Sequence, residues 1–376
     1  MYMAAQRPST ALIPWFGLTQ IVQPTFNIEV RRNNIVEDTI SALASASPNN
    51  FAKPLRVQFV NEEAQDEGGV RKEFFMILFQ QLLQPQYGMF TEDSESHYVW
   101  FSGISAVEPG SFSLVGRMCA LAVYNTILVD FPFPLALYKK ILNYKLTLDD
   151  LIMLHPTEGR SLQSLADYDD IDIEDVFGLT FQISIEVMGQ AVDVELKPGG
   201  KDIIVTNENR AEFLRLYVER RLELGNDNAI RDQFVRFVDG FRSVMRSKIL
   251  NFFQPHELME LMVGNENYDW EIFKKNTTYK GEFHADHLAI KAFWNAFFEF
   301  DLSQRKKFLL FLMGSARIPV AGMKELKMVI QPIPDSLYPV AHTCFNLLDL
   351  PNVKDTGEMK KRLLVCIEHT EGFTLV

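Results

Sequence analysis

Leu337-Tyr338-Pro339-Val340-Ala341-His342-Thr343-Cys344-Phe345-Asn346 is the stretch on which the reading of this chain turns. It places a cysteine directly after a histidine and a threonine, a polar break between apolar flanks. Free cysteine is among the most buried residue types and behaves as a small core hydrophobe, so on composition alone a structural role has even standing with a reactive one. A thiol with polar neighbours is also where a nucleophile would sit, because the thiolate attacks and nearby groups can orient or desolvate it. Exchange between thioesters is nearly isoenergetic, so such a thiol needs little activation if its electrophile is already a thioester. His342 and Thr343 are the local candidates for orienting it.

Other cysteine, metal and calcium chemistries fit less well. The local signature of papain-like hydrolases, C-G-[SA]-C-[WY], is absent. Two residues along a strand share a face without having to touch, so His342 and Cys344 are poorly spaced for an ion pair. His97, His155, His256, His284, His287 and His369 show no pattern that names a remote base. His284-x-x-His287 has half the spacing of a metal site but no partner pair, and Asp286 between them favours a solvated turn. Residues 167–175 hold six acids in nine positions, yet Asp172 and Gly178 stand where a calcium loop needs Gly and Glu. The segment reads as a solvated acidic loop able to steer a basic partner.

Composition narrows the class. The 376 residues suit two or three domains, and 47% hydrophobic with 23% charged residues is ordinary for a globular protein with ample core material. A net charge of −12 argues against general nucleic-acid binding, which needs a basic footprint. No apolar run is long enough for a membrane span, and the N-terminus is not built as a secretory signal. Met1-Tyr2-Met3 begins abruptly, as in a piece cut from something longer. Cys119, Cys344 and Cys366 are odd in number and far apart, which indicates neither a disulfide framework nor a zinc ribbon; reduced thiols fit a cytoplasmic or nuclear compartment.

Periodicity predicts a mixed chain with no internal repeat. Residues 26–46 read as a helix on the spacing of Val36, Ile40 and Leu43, and 55–60 alternate as a strand. After the polar stretch 61–69, a helix is expected over 70–83, a short strand at 99–101 and a long apolar helix over 111–129. From about 146 to 225 the texture changes: strands at 180–187 and 191–196, a third at 203–205, and a helix over 210–224 that Thr206 or Asn207 could cap. This reads as a small α+β unit inserted between helical stretches. Helices return over 232–262. Gly264-Asn265-Glu266-Asn267 is the best linker, short and polar between helix formers. Helices at 287–300 and 303–313, strands and loops over 326–350, and a last helix at 356–368 complete the chain.

A second unusual segment is Asp66-Glu67-Gly68-Gly69-Val70-Arg71-Lys72-Glu73-Phe74-Phe75. The glycine pair permits a tight turn into a helix, and acids ahead of a helix suit its dipole. The plain reading is a capped helix start, with Glu73 able to face a cleft. Together and in this order, the two segments resemble the HECT family of ubiquitin ligases. The family pattern near the nucleophile, L-P-x-A-H-T-C-F-N-x-L-x-L-P, is met over residues 337–351 with Tyr338 inserted before Pro339. The upstream mark D-x-G-G-x-x-[KR]-E-[FW]-[FW] is met over 66–75. Further matches are Phe181-Gln182-Ile183, Thr206-Asn207-Glu208-Asn209-Arg210 and Gly314-Ser315-Ala316-Arg317-Ile318-Pro319. The wording and the ending Glu371-Gly372-Phe373 are nearest to the small HERC subgroup, whose ligase domain follows an RCC1-like propeller.

The resemblance implies an α+β, bilobed fold. A mostly helical N-lobe would span 1–263, with a small E2-binding subdomain at about 146–225. A short hinge would lie at 264–267 and a smaller α/β C-lobe, carrying the catalytic cysteine, at 268–376. It implies an E3 ubiquitin transferase that takes ubiquitin from a charged E2 onto Cys344 and passes it to a lysine of a protein substrate, with no cofactor, no metal, no nucleic acid and no membrane span. His342 and Thr343 would flank the thioester. Phe373, fourth from the end, would support lysine transfer, and Glu73 and Asp130 stand where the family offers groups to position or deprotonate the lysine. Leu162, Leu165, Tyr168, Phe177, Leu179 and Phe213 would line an exposed E2 groove. The same residues also suit an interaction domain that binds E2 or ubiquitin without transfer, and the intact Cys344, His342, Thr343 and Phe373 weigh against that. A thiol hydrolase is more distant.

Overall fold

The structure is a computed structural model and describes residues 9–10, 21–22, 24–62, 69–103, 109–129, 131–187, 190–225, 228–335, 337–343 and 345–368. Two separate apolar cores organise it. The first gathers buried residues from Phe26 to Val263 and the second from Phe273 to Ile367.

The first core begins with strands. A two-residue pair, β1 (Ser9–Thr10) and β2 (Ile21–Val22), runs antiparallel. β3 (Phe26–Val30) and β4 (Leu55–Phe59) pair in parallel, joined through α1 (Ile35–Ser45). Both strands alternate buried and exposed residues, so Phe26, Ile28, Val30, Leu55, Val57 and Phe59 all face the core. The helix expected over 26–46 is therefore shorter. Its first residues follow period two, and Ile40, one of the three residues on which the helical spacing rested, is exposed. α2 (Gly69–Leu82) follows, then the hairpin β5 (Phe90–Glu92) and β6 (Val99–Phe101).

α3 (Pro109–Tyr124) is almost wholly enclosed. It ends earlier than its apolar run, where Thr126 turns into the left-handed region at φ 58°. α4 (Leu135–Ile141) is followed by the 146–225 stretch: α5 (Leu148–Leu154), α6 (Pro156–Ala166), α7 (Ile173–Phe177), the antiparallel hairpin β7 (Gln182–Val187) and β8 (Gln190–Glu195), and α8 (Arg210–Val218). The third strand expected at 203–205 is reduced to a single bridge, Thr180 to Ile204. α8 runs on as a π-helix over Glu219–Leu224.

α9 (Ala229–Val244) crosses α3 with the two backbones in contact. A Cβ on Gly116 would lie 1.9 Å from the Phe237 carbonyl oxygen, and one on Gly240 would lie 2.0 Å from that of Ser113. Glycine at both positions is what permits the crossing. α10 (Ser247–Leu250) and α11 (Pro255–Val263) close the first core.

The second core is a layer of helices on a four-stranded sheet. α12 (Trp270–Lys275) leads to β9 (Thr278–Tyr279), α13 (Leu288–Phe298) and α14 (Leu302–Met313). Asp301 and Gln304 exchange backbone and side-chain hydrogen bonds at the start of α14, satisfying two donors the helix would otherwise leave open. β10 (Val329–Ile333), β11 (Val340–His342), β12 (Leu347–Pro351) and α15 (Thr356–Glu368) complete the unit. The strand order is β11-β12-β10-β9, with β11 antiparallel to β12 and the other pairs parallel. Phe293, Phe297, Phe308, Leu312, Met359 and Leu363 cover Ile330, Leu348 and Leu350 from the helical side.

The stretch between the cores is polar but not slack. Asn265 is 8% exposed and exchanges both backbone hydrogen bonds with Ile318, at 2.9 and 3.0 Å. Glu266 pairs with Lys306 at 2.5 Å and Arg317 at 3.7 Å. Residues 265–267 are thereby fastened to the second core, and the turn out of α11 falls on Gly264, at φ 78°.

Candidate active site

The turn between β11 and β12 carries the opening stretch. Cys344 itself lies outside the described residues, as do Phe373 and Asp130; its neighbours define the surroundings. Phe345 N–H donates to the His342 carbonyl at 3.1 Å, closing the turn. Asn346 takes φ 49°, a left-handed conformation that asparagine tolerates better than most residues, and its carbonyl accepts from Val329 N–H at 3.0 Å. Upstream, the Arg362 guanidinium of α15 donates to the carbonyls of Asp335 and Leu337. Strand, turn and helix therefore hold the loop from three directions, while Leu337, Tyr338, Val340 and Phe345 stay exposed around it.

His342 is held by a carboxylate across the sheet. Its Nε2 lies 3.0 Å from Asp349 Oδ2, while Gln331 Nε2 donates to Asp349 Oδ1 at 2.7 Å. The register explains the reach: Val340 stands opposite Asp349, and His342 shares Val340's face, so the imidazole meets the carboxylate diagonally. Asp349 is the side chain that the sequence reading passed over. It occupies a variable slot of the pattern, and only the strand pairing reveals it.

The other two thiols are poor nucleophiles where they stand. Cys119 is buried on α3, and burial pushes its thiol well above the ordinary range. Burial also pushes Cys366 on α15 up to about 11, and its Sγ donates to the Pro339 carbonyl at 3.4 Å. Burial disfavours the thiolate at both positions.

The first core reaches this region through α2. Lys72 Nζ on α2 donates to the Thr343 carbonyl at 3.3 Å and to Asn346 Oδ1 at 3.4 Å. The next residue, Glu73, faces Arg32. Its carboxylate accepts from Arg32 at 2.7 Å, and Arg32 also binds Glu62 and lies over the Phe59 ring. As placed, the Glu73 carboxylate is ion-paired with Arg32.

The expected apolar groove needs a similar correction. Leu162, Leu165 and Phe213 are 6%, 0% and 1% exposed, so they belong to the core. α6 and α8 pack these three inward; Phe213 stacks edge-on against Phe181. Tyr168, Phe177 and Leu179 are half-buried, with Tyr168 and Phe177 in edge contact at 5.2 Å. The large apolar side chains that do face outward in this stretch include Ile171, at 94% exposure, together with Val176 and Ile204.

The Thr206-to-Arg210 motif explains how those residues are presented. Neither Thr206 nor Asn207 caps α8; Asn209 stands at the cap position and its Oδ1 accepts from Thr206 N–H at 2.8 Å. Asn207 Nδ2 instead donates to the Asp170 carbonyl at 3.0 Å, and Arg210 donates to the carbonyls of Leu165 and Tyr168. The motif is a clamp on the acidic loop that carries Ile171. Val205 N–H, bonded to the Leu179 carbonyl at 2.8 Å, ties the Ile204 segment to the same region.

His287 Nδ1 accepts from Ala289 N–H at the start of α13, and among the described residues no group of three or more His, Cys, Asp or Glu side chains is placed to hold a metal ion. Nor is any helix among them long and apolar enough to cross a membrane.

A family model described as HECT-domain (ubiquitin-transferase) matches residues 76–376. Probable E3 ubiquitin-protein ligase HERC4 of Mus musculus is 45% identical over 373 residues, covering 99% of this chain and 35% of that protein. Probable E3 ubiquitin-protein ligase HERC3 of Homo sapiens is 46% identical over 354 residues, 94% of this chain and 33% of that protein. Probable E3 ubiquitin-protein ligase HECTD2 of Homo sapiens is 38% identical over 365 residues, 93% of this chain and 46% of that protein. The chain therefore spans about a third of the length of the first two relatives and under half of the third. With a match running through both cores and the turn between β11 and β12, this chain belongs to the HECT-domain (ubiquitin-transferase) family.

Proposed function

We propose that this chain accepts ubiquitin from a charged E2 as a thioester on Cys344 and transfers it to a lysine of a protein substrate. In the first step the Cys344 thiolate attacks the E2-bound carbonyl, a new C–S bond forms and the E2 thiolate leaves. In the second the substrate amine attacks, an amide forms, and Cys344 leaves as thiolate while the amine's proton passes to solvent or a nearby base. The observation that carries this reading is the state of the thiols. Of three cysteines, Cys119 and Cys366 are disfavoured as thiolates by burial. The third, Cys344, stands in the sequence between Thr343 and the exposed Phe345, in a chain of a ubiquitin-transferase family.

His342, oriented by Asp349, and Thr343 flank the thioester. Phe373 supports the second step. The E2 docks on the face that presents Ile171, Val176 and Ile204, because a transient interface needs exposed apolar anchors at its centre. The test is direct. Charged E2 should give a ubiquitin adduct on this chain that reductant removes and Cys344→Ala abolishes. If Cys344→Ala still forms it, the nucleophile is misassigned. Deleting Phe373 should spare the adduct and reduce lysine transfer, and equal loss of both steps would remove its assigned role.

A further inference from the structure

We propose that Lys72 is a positioning residue, an α2 side chain that holds the thioester-bearing turn against the first core during transfer to lysine. The proposal rests on the reading of Cys344 as the thioester carrier.

Two independent contacts support it. Lys72 Nζ donates to the Thr343 carbonyl and to Asn346 Oδ1, which lie on either side of Cys344 in the chain. One helical turn further, Met76 meets the second core at another point: a Cβ on Gly314, the residue that ends α14, would lie 3.1 Å from Met76 Sδ. Residues four apart share a helix face, so Lys72 and Met76 form one stripe. The opposite side of α2 is committed to the first core through Phe74, Phe75 and Leu78. That burial fixes the rotation of α2 and aims the stripe at the second core. The seam therefore has an apolar contact at one end and a cation at the other, the latter binding the turn by its backbone and by the amide that follows it.

The geometry also assigns the step. Loading requires the turn to meet an E2 held on the 146–225 stretch, whereas Lys72 ties the turn to α2 instead. Discharge follows E2 departure and can proceed with the turn held there. Lys72 is thus needed for the second step and dispensable for the first. The chemistry of the step is unchanged; Lys72 forms and breaks no covalent bond.

The experiment separates loading from discharge on the 376-residue chain. With Lys72→Ala, loading from charged E2 should stay within about twofold of the parent, while single-turnover discharge of the preloaded thioester to free lysine slows about tenfold. Lys72→Arg, which keeps a cation of similar reach, should restore most of the discharge rate. Asn346→Gly keeps the left-handed backbone and removes the acceptor amide. Combined with Lys72→Ala it should slow discharge less than the product of the two single effects, because both remove one contact. Unchanged discharge in Lys72→Ala, equal loss of loading and discharge, or full multiplicativity with Asn346→Gly would overturn the proposal. Absence of any thioester in the parent chain would instead overturn the assignment of Cys344, so the two failures are distinguishable.

Discussion

His342 and Asp349 are partners across the β11–β12 ladder: Nε2 lies 3.0 Å from Oδ2, in a pair whose carboxylate is anchored a second time by Gln331. An exposed imidazole would otherwise sample several rotamers, and the carboxylate selects one. We expect Asp349→Asn, which keeps the shape and removes the charge, to slow discharge of the Cys344 thioester about fivefold, as losing roughly 1 kcal/mol would. His342→Gln should cost a similar factor. The double variant should be no slower than the worse single one, because both act through one contact. Single-turnover discharge measured on all four chains decides it, and simple multiplicativity would sever the pair.

Acid should weaken the first core through a different pair, His155 and Asp93, whose Nδ1 and Oδ2 lie 2.8 Å apart. Burial first, and the Arg221 charge second, hold His155 below its ordinary value despite the pull of Asp93. The unfolded histidine, near 6.5, takes up its proton before the folded one. Stability therefore falls as pH drops through that value. Burial favours protonation of Asp93, but the Ser96 N–H, His155 and the Glu95 N–H outweigh it and hold the carboxyl at about 2. Its contribution is present above the unfolded value near 3.9 and is lost as pH falls from there towards 2. Melting temperature should decline across both windows. His155→Gln should flatten the decline between about pH 7 and 5, by about 2–4 °C if the pair's share is near 1 kcal/mol. Asp93→Asn should flatten only the lower window. A His155→Gln profile parallel to the parent's between pH 7 and 5 would refute this.

What the sequence displayed was unequal across the chain, for reasons that can be named. Strong amphipathic or wholly apolar runs gave the helices: α15 is bounded as its periodicity predicts, at Thr356 and Glu368. Short strands in front of helices were harder. Phe26, Ile28 and Val30 alternate, but five residues of period two were read as part of the helical pattern after them. At the site, the turn stood out because its residues are contiguous. Asp349 and Lys72 did not, since their relation to the turn depends on strand register in one case and on two cores meeting in the other. Leu162, Leu165 and Phe213 lie in the core rather than in an exposed groove because apolar identity does not reveal direction: Leu165 and Ile171 lie six residues apart at 0% and 94% exposure.

That contrast gives a prediction for E2 docking. Ile171→Asp changes a side chain with almost no contacts to lose, so melting temperature should be unaffected. If the E2 seats on this face, loading at subsaturating E2 should slow about tenfold, the cost of losing an apolar anchor worth about 1.4 kcal/mol. Saturating E2 should recover most of the rate. Leu165→Asp should instead unfold the stretch, since it places an unpaired charge in the core. Normal loading kinetics in Ile171→Asp would move the docking face elsewhere.

The connection between the cores yields the last test. A polar tetrad after α11 suggests a flexible tether, yet Asn265 is bridged to Ile318 and Glu266 is held by Lys306 and Arg317. The Lys306 bond, foremost, keeps the Glu266 carboxyl below its ordinary value. Cleavage by a protease needs roughly extended, unpaired backbone, so these bonds should protect the segment. A glutamate-specific protease should cut after Glu266 slowly despite its place between the two cores. Lys306→Ala removes the closer of the two cations, and opening should rise roughly fivefold for about 1 kcal/mol of lost pairing. Rising salt should narrow the difference between parent and variant, because a half-exposed pair is screened. Rapid parent cleavage at Glu266, equal to that of Lys306→Ala at every salt concentration, would show a free tether and leave the fastening without consequence.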